Sequence, residues 1–282
     1  MTPAFTVLED WIAVLGRRWP VPRAPKEVSS ALGVDLLLGS DASLAAGSSS
    51  RHAGGIIDAI RRARAKDGLF LPGPPPTIFL AHPRTADAAE MAPRQRFTWA
   101  HELGHYLLWK GTPATTGADY WEEEAACNWF AGEFLAPRAL VQEIVGRPSK
   151  EWLTAVRRVA DACDVSWDVA AGCMTALSGG RIVFLRLSHT SPRDGVERMR
   201  VVATSTYHHS GIAVGARAII ADAQFMRTCA ALRSSETHLT TMQGNIGGLQ
   251  TDGCPVLVRR LGPHWVLMVR VASLPAREGK GR

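Results

Sequence analysis

Apolar residues recur at helical spacing over residues 5–17, where Phe5, Leu8, Trp11, Ile12 and Leu15 fall on one side. Pro20, Pro22 and Pro25 break that pattern, and residues 26–32 read as a second, short helix ahead of a strand over 34–38. Residues 39–55 are rich in Ser, Ala and Gly and read as a loop. Phe97, Ala100, Leu103, Gly104, Leu107 and Leu108 then predict a partly buried helix within residues 96–109. Ala125, Ala126, Trp129, Phe130 and Phe134 predict another, with Pro137 marking its exit. Two further helical patterns, 152–163 and 166–177, are joined at Asp164-Val165, with Ser166 or Asp164 as cap. From Gly179 the pattern turns to alternation. Residues 181–187, 199–206, 255–261 and 265–271 read as strands, 218–232 as a helix, and 192–195 and 262–263 as turns.

The first long helix carries chemistry. His101-Glu102-Leu103-Gly104-His105 is a His-Glu-x-x-His motif, and positions i and i+4 of a helix share a face. His101 and His105 can present two imidazole nitrogens to one cation, while Glu102 can reach a water there as general base. A catalytic zinc site commonly takes three protein ligands, so a carboxylate on the next helix would complete a His-His-Glu set. Of Glu122, Glu123 and Glu124, the last is the expected ligand, because Asn128 lies one turn after it and could orient a ligand. Glu122 and Glu123 read as a solvated acidic face at a helix start. Cys127 reads as a small buried thiol rather than a ligand. Zn2+ suits this donor set, and Mn2+ in the cell is not excluded by ligand type. Tyr120 and Trp121 are expected to pack rather than to meet a peptide, and Tyr106 can be read either way. His82, alone in a loop, and the adjacent pair His208 and His209 are set aside as ligands.

The stretches Arg94–Gln95–Arg96–Phe97–Thr98–Trp99–Ala100–His101–Glu102–Leu103–Gly104–His105, Glu124–Ala125–Ala126–Cys127–Asn128 and Phe134–Leu135–Ala136–Pro137 resemble the ImmA/IrrE metallopeptidases. The resemblance implies an α+β fold with a zincin-like metallopeptidase domain over 1–148. It also implies a helix-turn-helix-like segment over 149–178 and a GAF-like α+β sensor domain over 179–275, leaving 276–282 as a basic tail. A strand precedes the metal helix in that family, which makes 69–71 and 77–81 strands with the glycine-proline run 73–76 turning between them. The implied substrate is a helix-turn-helix repressor of the xenobiotic-response-element type, whose cleavage would induce stress-response or mobile-element genes.

Direct DNA reading is not expected from the helix pair. Its second helix has Asp168 as its only charged residue, and base readout needs Arg, Lys, Asn or Gln. The formal net charge of +6 favours weak, nonspecific attraction to nucleic acid or an acidic partner. No run of about 18 apolar residues predicts a membrane span. With five cysteines, no Cys-x-x-Cys spacing and no basic-then-apolar leader, the cytoplasm is the expected compartment. Two other classes of function are carried forward: a metal-stabilised regulator that docks to a repressor without cutting it, and a DNA-binding regulator.

Overall fold

The computed structural model describes residues 3–39, 67–81, 91–111, 119–146, 152–179, 182–190 and 198–204, and beyond these the strands and helical residues given below. The loop expected over 40–55, His82, the turns at 192–195 and 262–263, His208, His209 and the tail 276–282 lie outside the described residues. Contacts divide the chain into two units, residues 1–137 with 160–166, and residues 138–159 with 167–282.

In the first unit the elements run α1 (Pro3–Arg18), α2 (Pro25–Leu32), β1 (Asp35–Gly39), β2 (Gly68–Leu71), β3 (Thr77–Ala81), α3 (Pro93–Gly111) and α4 (Tyr120–Leu135). Gly33 ends α2 in the left-handed region, at φ 74°, with its N–H returned to the helix carbonyls of Ser29 and Ser30. The sheet order is β1-β3-β2; β1 runs parallel to β3, and β2 is antiparallel to it, at the edge. β3 is the central strand, and Ile78, Phe79 and Leu80 are buried in succession. β2 and β3 lie against α3, and α1 lies against α3 and α4. Leu8 and Leu15 of α1 join Trp99, Leu103, Phe130 and Phe134 in one core. The rings of Phe130 and Phe134 stack at 5.2 Å, with Trp99 tilted 6.0 Å from Phe134. Polar tips inside this core are matched: Trp99 Nε1–H donates to Ser29 Oγ (2.9 Å), and the Tyr106 hydroxyl donates to Leu32 O (2.9 Å). Tyr106 therefore belongs to the core.

Two arginines are buried in the same unit. Arg96 donates to Arg23 O (2.8 Å) and pairs with Asp164 (3.0 Å), which itself adopts a left-handed φ of 50°. Arg23 donates to Phe134 O, and its guanidinium lies 4.3 Å from the Phe134 ring centre. Burial pulls the Arg23 pKa down to about 10 against the opposing pull of Cys163 and Glu133. A guanidinium at that value is still charged, so this is a core held partly by charge-assisted hydrogen bonds. They tie the α2 approach, the first turn of α3, the end of α4 and the 160–166 turn together.

α3 and α4 lie close together at Gly104. A Cβ there would stand 3.2 Å from Cys127 Sγ and 3.3 Å from both Cys127 Cα and Cβ. Backbone is among the nearest atoms, so no side-chain rotation could relieve the clash.

In the second unit, α5 (Arg138–Val145), the first two turns of α6 (Trp152–Cys163) and α7 (Trp167–Leu177) accompany a sheet of β4 (Ile182–Thr190), β5 (Arg198–Thr204), β6 (Ile219–Ile220), β7 (Thr237–Met242), β10 (Cys254–Leu261) and β11 (His264–Arg270). Its order is β6-β5-β4-β11-β10-β7, antiparallel throughout, with a register shift at Arg186/Leu187. A separate small ribbon pairs β8 (Asn245–Ile246) with β9 (Leu249–Gln250). α7 packs on α5 and β4, with the Trp167 and Phe184 rings edge-on at 5.7 Å and Asp168 paired to Arg186 (3.1 Å).

Helices mixed with largely antiparallel sheets make the chain α+β, as expected. Three differences are physical. The helix expected over 218–232 begins later, because Ile219 and Ile220 pair with β5, as β-branched residues favour; Phe225, Arg227, Cys229 and Ala231 are helical. The central strands β4 and β11 do not alternate: Val183–Leu185 and Val266–Val269 are buried residue after residue, as in a strand covered on both faces. α5 was not expected, although Leu140, Val141, Ile144 and Val145 recur at helical spacing; only Val141 is fully inside.

Gly104→Ala is expected to force α3 and α4 apart by a few tenths of an ångström. The cost should be about 1–3 kcal/mol, read as a lowered midpoint in urea denaturation of the metal-free protein, and Cys127→Ala should restore only part of it because the clash with the Cys127 backbone persists.

Candidate metal centre

Residues His101, Glu102 and His105 lie in the middle of α3, where both neighbouring turns are anchored by core residues on the opposite side, Trp99, Leu103 and Leu107. Glu124 lies in the second turn of α4. That helix begins where Asp119 caps it, its Oδ1 accepting the Trp121 N–H at 3.3 Å. The apolar spacing does not reveal Asp119, although an Asp ahead of an acidic-apolar run is a recognisable start signal.

The close packing at Gly104 and Cys127 brings the polar faces of the two helices together. His101 Nε2 stands 3.4 Å from Glu124 Oε2, His105 Nε2 stands 3.3 Å from Glu124 Oε1, and the two imidazole nitrogens are 3.2 Å apart. One donor atom from each of the three residues thus falls within 4.8 Å of the other two, and among the described residues this is the group that could hold a metal. His101 Nδ1–H donates to Asn128 Oδ1 (3.1 Å), which leaves the Nε2 lone pair directed at Glu124. Burial lowers the pKa of both histidines; for His101 the Glu124 charge opposes this, and for His105 the neighbouring His101 adds to it. Neutral imidazoles are what a cation needs as ligands.

Glu102 is 8% exposed and points to the strand side of α3, where it accepts the Phe70 N–H of β2 at 2.8 Å. The strand register explains why that donor is free. Ala81 N–H bonds Asp67 O at 2.9 Å, so in an antiparallel pair the bonded couples are 67/81, 69/79 and 71/77, and the backbone groups of Gly68 and Phe70 point away from β3. Phe70 is held in place by Tyr106 and Trp109, each 5.9 Å away between ring centres. Burial pushes the Glu102 pKa up to about 7; the Phe70 hydrogen bond opposes the rise and the Glu124 charge adds to it. A carboxyl group titrating near neutrality can both take and give a proton.

Cys127 is fully buried, and its thiol pKa is driven well above the usual value by desolvation and then by Glu124, so it is an inert packing group as expected. The acidic neighbours differ from Glu124 as expected in one case: Glu122 is exposed, while Glu123 is only half-buried. Tyr120 and Trp121 correct the expectation that they pack. Tyr120 is 61% and Trp121 74% exposed, because both precede the first turn of α4 that reaches the core.

The family comparison agrees with this geometry. Residues 86–171 match the family model of the IrrE N-terminal-like domain of the M78 peptidases, so the chain carries an IrrE-type, metallopeptidase-like domain. The solved structure of a Mycobacterium tuberculosis transcriptional regulator is similar with a TM-score of 0.48 at 13% identity, over 95% of this chain and 76% of that one. No curated protein matches the sequence.

The raised Glu102 pKa has a consequence for stability. A carboxyl group whose folded pKa lies above its unfolded value binds an extra proton on folding, so its contribution is present below about pH 4.5 and lost as pH rises through about 7. Metal-free Glu102→Gln should therefore match wild type at low pH. It should exceed wild type by up to about 3 kcal/mol above neutrality, measured as urea-unfolding free energy across a pH series; a difference that does not change with pH would refute the buried-carboxyl assignment.

Proposed function

We propose that the protein is a metal-dependent endopeptidase in which His101, His105 and Glu124 hold a divalent ion, Zn2+ or in the cell Mn2+, and Glu102 is the catalytic base. The observation that carries this is the convergence of two neutral imidazoles and one carboxylate beside a separately anchored carboxyl group with a pKa near 7. The donor set fits the ion. Three groups face one point, and the nearest thiol is not ionised. Bound there, the ion would acidify a water and polarise the scissile carbonyl. The rest falls to the chain's own residues. Glu102 takes the proton of the attacking water and later delivers it to the leaving amine, and Asn128 keeps His101 in the tautomer that leaves Nε2 unprotonated. The outward-facing Gly68 backbone and Phe70 carbonyl on the edge strand offer an extended peptide a partner beside Glu102.

The proposed substrate is a helix-turn-helix repressor of the xenobiotic-response-element type, cut in the cytoplasm to release stress-response or mobile-element genes. The sheet of residues 182–270 would then be a GAF-like sensor that controls the cut. Among the described residues no helix is long and apolar enough to cross a membrane. A DNA-reading role is less well supported. α7, which would be the reading helix, buries Ala170, Ala171, Met174 and Thr175 and commits Asp168 to Arg186.

Incubation with the repressor encoded nearest to the protein, with Zn2+ or Mn2+ added, tests the proposal by intact mass. Wild type should give a discrete cut and Glu102→Gln none, a loss of at least about 100-fold as expected for removal of a general base, while Glu102→Gln still binds Zn2+ in equilibrium dialysis. His101→Ala and Glu124→Ala should lose both. Repressor bound but left intact by metal-loaded wild type would favour docking without cleavage.

A further inference from the structure

We infer that the second unit carries a binding site for a small organic carboxylate, formed where Arg157 of α6 and Arg259 of β10 line a pocket with Leu153, Trp167 and Val266. The site shares no residue with the proposed metal centre and does not rest on it.

The sheet register brings the charges together. Val266 of β11 lies opposite Arg259 of β10 on one side and opposite Arg186 of β4 on the other, so the three side chains form one row on one face. Phe184, two residues before Arg186, shares that face. α7 covers it there: Trp167 meets the Phe184 ring at 5.7 Å, and Asp168 pairs with Arg186 at 3.1 Å. Asp168 is thus committed to Arg186. Among the described residues no carboxylate pairs with Arg259, and its Nε is shut off from solvent without a hydrogen-bond partner. Arg186 Nε and His264 Nδ1, on the same face, are likewise unpartnered among the described residues. Shielded polar nitrogens without partners are costly, and a cluster of them beside a pocket points to an acceptor that enters from outside.

The lining selects the ligand. Three of the five lining residues are apolar, and Trp167 supplies an aromatic wall. Two guanidiniums beside such a surface call for an anion, and the planar guanidinium fork matches a carboxylate through two parallel N–H···O bonds. Size excludes bulkier anions. The enclosed space is about 20 Å3, room for one or two water-sized groups, which suits the two oxygens of a carboxylate and not the four of a phosphate. Arg157 is exposed and Arg259 half-buried, so the head group enters toward Arg259 with Arg157 at the mouth. An apolar body attached to the carboxylate would lie on Trp167.

Ligand-observed fluorine NMR of para-fluorobenzoate with the full-length chain tests this. Line broadening should saturate with wild type, and unlabelled benzoate should compete. Arg259→Gln and Arg157→Gln should each weaken binding about 10-fold or more, as expected for loss of a charge-assisted hydrogen bond. Arg259→Lys should not restore it, because an ammonium lacks the fork. Arg157 is exposed, so Arg157→Gln should unfold at the wild-type midpoint and its weakened binding reads the contact rather than the fold. His101→Ala should bind the probe as wild type does. No broadening with folded wild type, or equal affinity in wild type and both glutamine variants, would overturn the inference. Inorganic phosphate that displaces the probe as well as benzoate does would overturn the carboxylate assignment. Loss of binding in His101→Ala would place the carboxylate on an ion at the metal centre and overturn the pocket.

Discussion

The distance between α3 and α4 is set where Gly104 meets Cys127, and the rest of the site depends on it. A residue without Cβ lets the two helix backbones approach closely enough that side chains as short as His and Glu meet across the gap. The same contact lies on the inner side of both helices, where Phe130, Phe134, Trp99 and Leu103 fill the space with rings and branched chains. Interiors packed at this density deform little, so the polar faces inherit the rigidity of the apolar ones. The chemistry thus rests on a position that has no side chain at all.

Electrostatically the site combines groups that would not tolerate one another if all were charged. Burial keeps His101 and His105 neutral and moves Glu102 toward neutrality, while Glu124 lies among them. The two carboxyl groups are kept distinct by what holds them. Glu102 is tied to the Phe70 N–H of a strand edge, and Glu124 is turned toward the imidazoles and the exposed lip of α4. One environment gives a group that exchanges protons near neutrality, and the other a carboxylate that faces two imidazoles.

The helix pair over 152–177 has the outline of a DNA-binding motif but is used as packing. Trp167 lies edge-on to Phe184, and Asp168 pairs with Arg186 of β4. At its turn, Asp164 pairs with the buried Arg96 at the start of the helix that carries His101 and His105, so this short segment contributes to the unit that holds the site. The pairing is charge-assisted and its arginine is almost wholly enclosed, which makes it a specific attachment rather than a surface ion pair.

Much of the first unit was legible in the chain. The apolar spacing located α1, α2, α3 and α4 to within a few residues, because their buried positions recur at helical spacing. The motif spacing selected His101, Glu102 and His105, and Asn128 one turn on pointed to Glu124; the fold brings His101, His105 and Glu124 together and sets Asn128 on His101, while Glu102 is tied to the Phe70 N–H. Less could be read where burial is on both faces, as in the continuous run Val266–Val269. Tyr120 illustrates what was not written in the pattern: an aromatic residue near a core helix reads as packing, yet it is 61% exposed, ahead of the residues of α4 that reach the core. Local periodicity and spacing decide which face of a helix carries the donors. Which backbone amide meets Glu102, how near the helices come, and which pKa values shift are decided by contacts between residues far apart in sequence, because desolvation and hydrogen-bond geometry exist only once those segments are packed.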